Sequence, residues 1–333
     1  MRPRSRSWAR RTHRAIGAWI VAGALAATAS GAAAGAYPER SIRLIVATPA
    51  GSTIDVLARI VGEKLERALG KPVIIDNRPG ASGSIGYELA AKSPPDGYTL
   101  GIVGLGLVTL PVTLGPSAVD PIRDFAPIIK LATQPVVVLA HPSLRVDSLE
   151  AMIAEARRRP GELPYSAVGV GTSVHLAAEM LFTRAGVKLL YVPYGSPVAA
   201  LKDLLSGEVP LTFTYPTGKE KFISGGQLKA LAVTSKRRLV LLPEVPTVEE
   251  CGYPDFDVSS WFGMVAPAGT PPGIVDRLNA EFLRILALPE LRTTLAAQGI
   301  APAGGTPEQF TADIAAELER WTPIVKALGI KVE

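Results

Sequence analysis

The chain has 333 residues, of which 47% are hydrophobic and 20% charged, which excludes a disordered chain and allows one to three folded domains. The formal net charge is +5, but residues 1–36 hold six arginines and no lysine or acid, so the remainder carries 35 − 6 = 29 basic and 30 acidic residues. That balance excludes the broad basic surface that nucleic-acid binding requires, and we expect no nucleic-acid partner.

The N-terminus has the three parts of a secretion signal. A basic segment ends at Arg14, an uncharged apolar stretch covers residues 15–29, and small residues end in Ala34-Gly35-Ala36. This pattern predicts a signal peptide over 1–36, cleavage after Ala36 and a soluble periplasmic protein. A transmembrane anchor is the alternative for the same stretch, and Arg10-Arg11 leaves twin-arginine export open.

Strand and helix patterns alternate after the signal. The predicted elements, in chain order, are a strand over 41–48, a helix from Ile54 to Ala68, strands over 73–75 and 98–103, a strand over 163–168 with a helix over 173–185, a strand over 189–192 with a helix over 198–205, a strand over 228–233, and helices over 272–286, 291–298 and 307–328. The alternation predicts an α/β protein with parallel sheets covered by helices.

Two of these units have the same design. The strand over 41–48 leads through Pro49-Ala50-Gly51 into a helix opening at 52–55, and the strand over 163–168 leads through Gly169-Val170-Gly171 into a helix opening at 172–175. The free amides and dipole of a helix N-terminus bind anions, and glycine allows close approach. Neither loop contains Lys or Arg, so we expect neutral amides and hydroxyls to hold a carboxylate. Ordinary helix capping is the alternative for each loop.

The sequence gives little support for a disulfide, a metal site, a cofactor or a set of catalytic residues. Cys251 is the only cysteine, which excludes an internal disulfide and a lipid-modified mature N-terminus. His141 and His175 share no close ligand spacing, so we predict no metal and no cofactor. The loop ending at Gly171 lacks the third glycine of a dinucleotide-binding loop, and no nucleophile, base and acid form a catalytic set. We therefore expect no enzymatic activity.

Eight motifs in order resemble the Bug/TctC family of tripartite tricarboxylate transporter receptors, over nearly the whole mature chain. They lie at Tyr37-Pro38 to Ile45, Asp76 to Gly86, Pro95 to Leu100, Gly169 to Leu176, Val192-Pro193-Tyr194, Leu231 to Ser235, Leu242 to Val248, and Ser259 to Pro271.

The resemblance implies a two-lobed α/β periplasmic binding protein, the Venus-flytrap fold, with a hinge between lobes. The first lobe would comprise 37–139 and 262–333, and the second 140–261. Such a receptor is a monomer that captures a small carboxylate between its lobes, largely by backbone amides and ordered waters, and delivers it to membrane permease subunits. A periplasmic sensor module and an exported hydrolase are the alternatives.

The two loops and the resemblance together predict the ligand-binding residues. These are Ala50, Gly51, Ser52, Thr53, Asp55, Gly104, Leu105, Gly171, Thr172, Ser173, His175 and Tyr194. Several positions are less polar than the family pattern, and they are Leu105, Leu107, Pro197, Val198, Pro210 and Thr214. A second buried carboxylate without a partner is costly, so these departures predict a monocarboxylate with an apolar or aromatic body.

Overall fold

The computed structural model describes residues 37–115 and 119–330. The predicted signal peptide and its cleavage site after Ala36 lie outside the described residues. A compact unit begins at Arg40, and the fold below is that of this unit. Within 37–115 and 119–330, no helix combines the length and the apolar character needed to cross a membrane.

Within the described part of the chain, eleven strands form two separate sheets. They are β1 (Ile42–Val46), β2 (Val73–Asn77), β3 (Thr99–Gly104), β4 (Phe125–Pro135), β5 (Val137–Ala140), β6 (Pro164–Val168), β7 (Leu190–Tyr194), β8 (Leu211–Thr214), β9 (Lys229–Val233), β10 (Ser259–Pro267) and β11 (Ala301–Gly304). The first sheet has the order β11-β4-β10-β3-β1-β2, and the second has the order β7-β6-β8-β5-β9.

Both sheets are mixed, so the expectation of parallel sheets is wrong for five of the eleven strands, β4, β5, β9, β10 and β11, which pair only antiparallel. β1 pairs in parallel with β2 and β3, and β6 pairs in parallel with β7 and β8. β10 and β11 are antiparallel to their partners in the first sheet, as is β5 in the second. β10 and β11 are each followed by a helix, Pro272–Ala287 and Pro307–Ala327, so the alternation of strand and helix does not by itself reveal the direction of a strand.

Ten α-helices of the described residues cover the sheets. They are α1 (Thr53–Leu69), α2 (Ser84–Ala91), α3 (Gly106–Thr113), α4 (Leu149–Arg158), α5 (Ser173–Ala185), α6 (Pro197–Ser206), α7 (Glu220–Ser224), α8 (Pro272–Ala287), α9 (Pro289–Ala296) and α10 (Pro307–Ala327). The helix predicted from Ile54 to Ala68 is α1, which Ser52 caps and which ends at Gly70, whose φ of 66° favours glycine.

The predicted two-lobed α/β fold is confirmed. The first lobe is the six-stranded sheet with α1, α2, α3 and α8 to α10, and the second is the five-stranded sheet with α4 to α7. The C-terminal helix returns to the first lobe, where Asp313 of α10 pairs with Lys130 of β4 at 3.0 Å. The predicted boundaries at 139/140 and 261/262 stay a prediction.

The chain crosses between the lobes twice, and Thr234 joins the two crossings. The first crossing runs from β4 to β5 through Val136, and the second leads from Val258 into β10. The Thr234 amide donates to the Val136 carbonyl at 2.9 Å, and its hydroxyl donates to the Val258 carbonyl at 2.6 Å. Thr234 is fully buried. These buried hydrogen bonds hold the two crossings together as one short, ordered connection between the lobes.

Candidate functional site

A cavity of about 120 Å³ lies between the two lobes. Its walls come from the N-terminal ends of α1, α3 and α5 and from the loop after β8. An adjoining cavity of about 310 Å³ shares part of this wall. The lining residues of the first cavity are Thr48, Pro49, Gly51, Ser52, Thr53, Ile54, Ser82, Tyr87, Gly104, Leu105, Gly106, Val168, Thr172, Ser173, Val174, Pro197, Thr214, Tyr215, Thr217, Lys219 and Ser260.

The structure brings seven of the twelve predicted residues to this cavity. They are Gly51, Ser52, Thr53, Gly104, Leu105, Thr172 and Ser173. Tyr194 instead lines the adjoining cavity, and its hydroxyl donates to Asp203 at 2.6 Å. Ala50, Asp55, Gly171 and His175 lie outside the lining of both cavities. Ligand contact by any of the twelve stays a prediction.

In the first loop, Asp55 holds the backbone in place. The Gly51 amide donates to Asp55 Oδ2 at 2.9 Å, and the Asn77 amide group donates to Asp55 Oδ1 at 2.9 Å. Burial opposes ionisation of Asp55, but hydrogen bonds from Arg59, Gly51 and Asn77 outweigh it and keep its pKa below the usual range. Asp55 is therefore an ionised positioning residue that fixes the loop before α1.

The second loop repeats this arrangement with a neutral acceptor. The Gly171 amide donates to His175 Nδ1 at 3.1 Å, again four residues along the chain. The His175 ring is buried and stacks on Tyr191 with centroids 4.4 Å apart. Burial lowers the pKa of His175 to about 4, so the ring is neutral at pH 7. The loop also contacts the first lobe, since Thr109 Oγ1 donates to the Gly171 carbonyl at 2.9 Å.

These bonds change which amides can hold an anion. The Gly51 and Gly171 amides already donate to Asp55 and His175, so a ligand would have to displace these acceptors to bind either amide. Donation by these two amides to the ligand stays a prediction. The amides of Thr53 and Ile54 at α1, and of Ser173 and Val174 at α5, have no acceptor among the described residues. They are first-turn donors that an intrahelical carbonyl cannot satisfy. These four candidate donors include the amides of Thr53 and Ser173, two of the predicted ligand-binding residues, and extend one residue further along each helix, to Ile54 and Val174.

A third helix N-terminus reaches the same cavity. α3 begins at Gly106, and the amides of Gly106 and Leu107 have no acceptor among the described residues. Gly106 approaches the hydroxyl of buried Tyr87, and a Cβ there would lie 3.4 Å from that oxygen. Burial raises the pKa of Tyr87, which therefore remains a neutral phenol. The partial positive charges of three helix N-termini, those of α1, α3 and α5, therefore face the same cavity.

The six positions that depart from the family pattern do not leave the cavity without polar groups, and their effect on ligand choice stays a prediction. Of the six departures from the family pattern, Leu105, Pro197 and Thr214 line the cavity, whereas Leu107 is fully buried and Val198 is 66% exposed. Hydroxyl groups are abundant in the lining, supplied by Thr48, Ser52, Thr53, Ser82, Tyr87, Thr172, Ser173, Thr214, Tyr215, Thr217 and Ser260. Departures in sequence do not reveal which side chains face the cleft.

Sequence reasoning missed Tyr215 and Lys219, which both follow β8. The Tyr215 hydroxyl lies 2.5 Å from Ser173 Oγ, and its ring packs edge-on against Phe262 of β10. Burial raises the pKa of Tyr215. β8 has only four residues and was not predicted, so the loop after it carried no signal of a site.

The neutral state of His175 makes the folded chain sensitive to acid. Below pH 6.5 the unfolded chain binds a proton that the folded chain excludes until about pH 4. We expect this group to remove about 3 kcal/mol of unfolding free energy as pH falls from 7 to 4. Urea unfolding at both pH values should show a smaller acid loss for His175→Gln than for wild type. The control Val240→Ala, at an exposed position, should match wild type, and an equal acid loss in all three proteins would contradict the assignment.

Comparison with known proteins identifies the family. Residues 57–330 match the model of the tripartite tricarboxylate transporter family receptor. The chain is 39% identical over 291 residues to the UPF0065 protein in the tcbD-tcbE intergenic region of Pseudomonas sp. (strain P51), and the match covers 87% of each chain. It is 37% identical over 323 residues to BugT of Bordetella pertussis, and the match covers 96% of this chain and 97% of BugT.

Solved structures agree with this assignment. Rpa4515 of R. palustris with adipate is 35% identical, with a TM-score of 0.85 and coverage of 89% of this chain and 99% of that one. The periplasmic binding protein BugD is 31% identical, with a TM-score of 0.84 over 89% and 99% of the two chains. MatC from Rhodopseudomonas palustris with malate is 29% identical, with a TM-score of 0.81 over 87% and 100%. The chain therefore belongs to the tripartite tricarboxylate transporter receptor family of periplasmic solute-binding proteins.

Proposed function

We propose that this receptor captures a small carboxylate in the cavity between its lobes and delivers it to the membrane permease subunits of a tripartite transporter. One observation carries the proposal: the N-termini of α1, α3 and α5 face a single cavity, and the described residues that line it include no Asp or Glu. Helix N-termini attract anions through unsatisfied amides and the helix dipole.

The energetics favour a carboxylate held by more than one helix. A hydrogen bond to a charged group contributes about 1.5–3 kcal/mol, so four first-turn amides give a gross of about 6–12 kcal/mol. Association costs about 4–15 kcal/mol, so the amides alone do not ensure tight binding. The hydroxyls and the apolar atoms of the lining must contribute the rest. The relatives Rpa4515 and MatC, solved with adipate and malate, support this ligand chemistry.

Contacts between the lobes give the receptor a means of capture. Thr109 of α3 bonds to the loop before α5, and Gln134 of β4 donates to Thr217 of the second lobe at 2.8 Å. A solute that contacts both lobes stabilises the arrangement in which they meet, and so shifts the population toward it. The permease would then recognise the loaded form.

Binding is tested with stripped protein, unfolded in denaturant and refolded to remove any carried solute. Thermal shift and calorimetry would follow linear mono- and dicarboxylates of three to eight carbons, with the matching uncharged amides as controls. A ligand at a hundred times its dissociation constant stabilises the fold by about 2.7 kcal/mol. We expect at least one acid to stabilise the protein and its amide to have no effect. Equal effects of acids and amides, or no effect of any acid, would contradict the proposal.

Export through the predicted signal completes the proposed function. The basic segment, apolar stretch and Ala34-Gly35-Ala36 predict cleavage after Ala36. N-terminal sequencing of the protein from the periplasm should begin at Tyr37. A membrane-bound product that retains Trp19 would contradict both the cleavage and the periplasmic receptor.

A further inference from the structure

Among the residues of 37–115 and 119–330 that line the cavity, Lys219 is the only Lys, Arg, Asp or Glu. It follows β8, on the side of the cavity that the second lobe forms. No motif of the sequence marked it, and the two loops predicted to bind the anion contain no basic residue. Its ammonium group is therefore the one full positive charge at a site otherwise built from partial charges.

The ammonium has no carboxylate partner within the described residues. Lys219 Nζ donates to the Thr217 carbonyl at 3.0 Å, and none of the ion pairs within 4.0 Å includes it. The neighbouring Glu220 carboxylate accepts instead from the Gly218 amide at 3.0 Å. Burial lowers the pKa of Lys219 to about 8, against the opposing effect of Glu220. A partly desolvated cation without an acidic partner is costly, and an anion in the cavity removes that cost.

The loop that carries Lys219 is fixed against the first lobe. Thr217 accepts from Gln134 Nε2 at 2.8 Å and donates to the Gln298 carbonyl at 3.2 Å. Gln134 is fully buried and also donates to the Gln298 carbonyl at 2.8 Å. The packing is close, since a Cβ added at Gly299 would lie 2.7 Å from Pro216 Cγ. These contacts with the first lobe fix the position of Lys219 in the wall of the cavity.

The charge balance of the cavity exceeds what one carboxylate neutralises. Each helix N-terminus is equivalent to about +0.5 charge, and three of them face the cavity together with the Lys219 ammonium. The lining contains no acidic side chain to offset them. The three helix termini alone carry about +1.5, which is more than the −1 of a single carboxylate, so one carboxylate leaves the ammonium unpaired.

We propose that Lys219 binds a second acidic group of the solute and so selects dicarboxylates over monocarboxylates of the same length. This inference rests on the proposed carboxylate binding and deepens it. It differs from the sequence-based expectation of a monocarboxylate with an apolar body. That expectation rested on six positions that are less polar than the family pattern, and only three of them line the cavity. Lys219 thereby becomes a specificity-determining residue of the site.

The test compares matched acids by calorimetry on wild-type protein and three variants. Butyrate and succinate, pentanoate and glutarate, and hexanoate and adipate each differ by one carboxylate at constant chain length. Wild type should bind the dicarboxylate of the best pair at least tenfold more tightly than its partner. Lys219→Met should lose at least tenfold in dicarboxylate affinity and change monocarboxylate affinity less than twofold. Lys219→Arg, which keeps the charge, should retain part of the preference.

The matched control is Lys221→Met, which removes the same charge from an exposed position two residues away, outside the lining. It should bind every acid as wild type does. The comparison of matched acids on wild type needs no variant. It can therefore still refute the proposal if the Lys219→Met protein fails to fold. Equal binding of both acids of each pair by wild type, or unchanged dicarboxylate binding by Lys219→Met, would overturn the role of Lys219 alone. Binding of no acid by wild type would instead overturn the proposed function and this inference with it.

Discussion

Replacing Ser173 with proline should weaken binding of the acid roughly 10- to 100-fold while leaving the fold intact, because a hydrogen bond to a charged group contributes about 1.5–3 kcal/mol. Ser173 is the first residue of α5, where proline is well tolerated and removes only an amide that the helix cannot use. The preceding Thr172 has φ −75° and ψ 164°, the extended conformation that a residue before proline adopts. The substitution therefore isolates one backbone donor.

The matched variant is Ser173→Ala, which keeps the amide and removes the hydroxyl contact with Tyr215. The difference in dissociation constant between the two variants measures the amide alone. Thr53→Pro and Thr53→Ala form the same pair at the first residue of α1, after Ser52 with φ −72° and ψ 160°. Calorimetry with the tightest acid should separate each pair by the same order of magnitude. If proline and alanine variants bind equally with circular dichroism unchanged, the helix termini are not the donors.

Replacing Phe310 with alanine should lower the free energy of unfolding by about 3–5 kcal/mol, the range for deleting a buried aromatic side chain. Phe310 lies in the first turn of α10 and is 1% exposed. Its ring fills the space over Gly263 of β10, where an added Cβ would collide with it, and packs edge-on against Trp261 at 5.5 Å. The ring therefore fastens the C-terminal helix to the first sheet.

Urea unfolding monitored by circular dichroism measures this effect. Val240→Ala is the control, because Val240 is 94% exposed and its loss should change stability by no more than about 0.5 kcal/mol. Gly263→Ala should also destabilise the protein, since the new methyl group meets the Phe310 ring. A Phe310→Ala protein within 1 kcal/mol of wild type would show that α10 does not depend on this contact.

The sequence predicts those parts of the site that arise from local patterns. A strand, a loop of small residues and a helix start are all within fifteen residues of each other, so the loops before α1 and α5 can be recognised without knowing the fold. The same local reasoning assigned Asp55 and His175 to the ligand. At a helix N-terminus, however, a side chain four residues after a glycine reaches back to its amide, and both side chains do so here.

Long-range contacts explain what the sequence did not predict. Lys219 and Tyr215 face the cavity because the loop after β8 docks on Gln134 and on the Gln298 carbonyl, which are 83 and 81 residues from Thr217. The antiparallel strands β4 and β10 pair across more than a hundred residues, and neither strand was predicted from the sequence. Which polar side chains line a cleft between lobes depends on such pairings, so the charge of the cavity emerges only from the folded chain.

A crystal structure of the protein with its tightest-binding acid tests the central claim most directly. We expect the acid in the cavity between the lobes, with carboxylate oxygens about 2.7–3.1 Å from the amide nitrogens of Thr53 or Ile54 on α1 and of Ser173 or Val174 on α5. An acid bound outside this cavity, or held there without contact to either helix N-terminus, would contradict it.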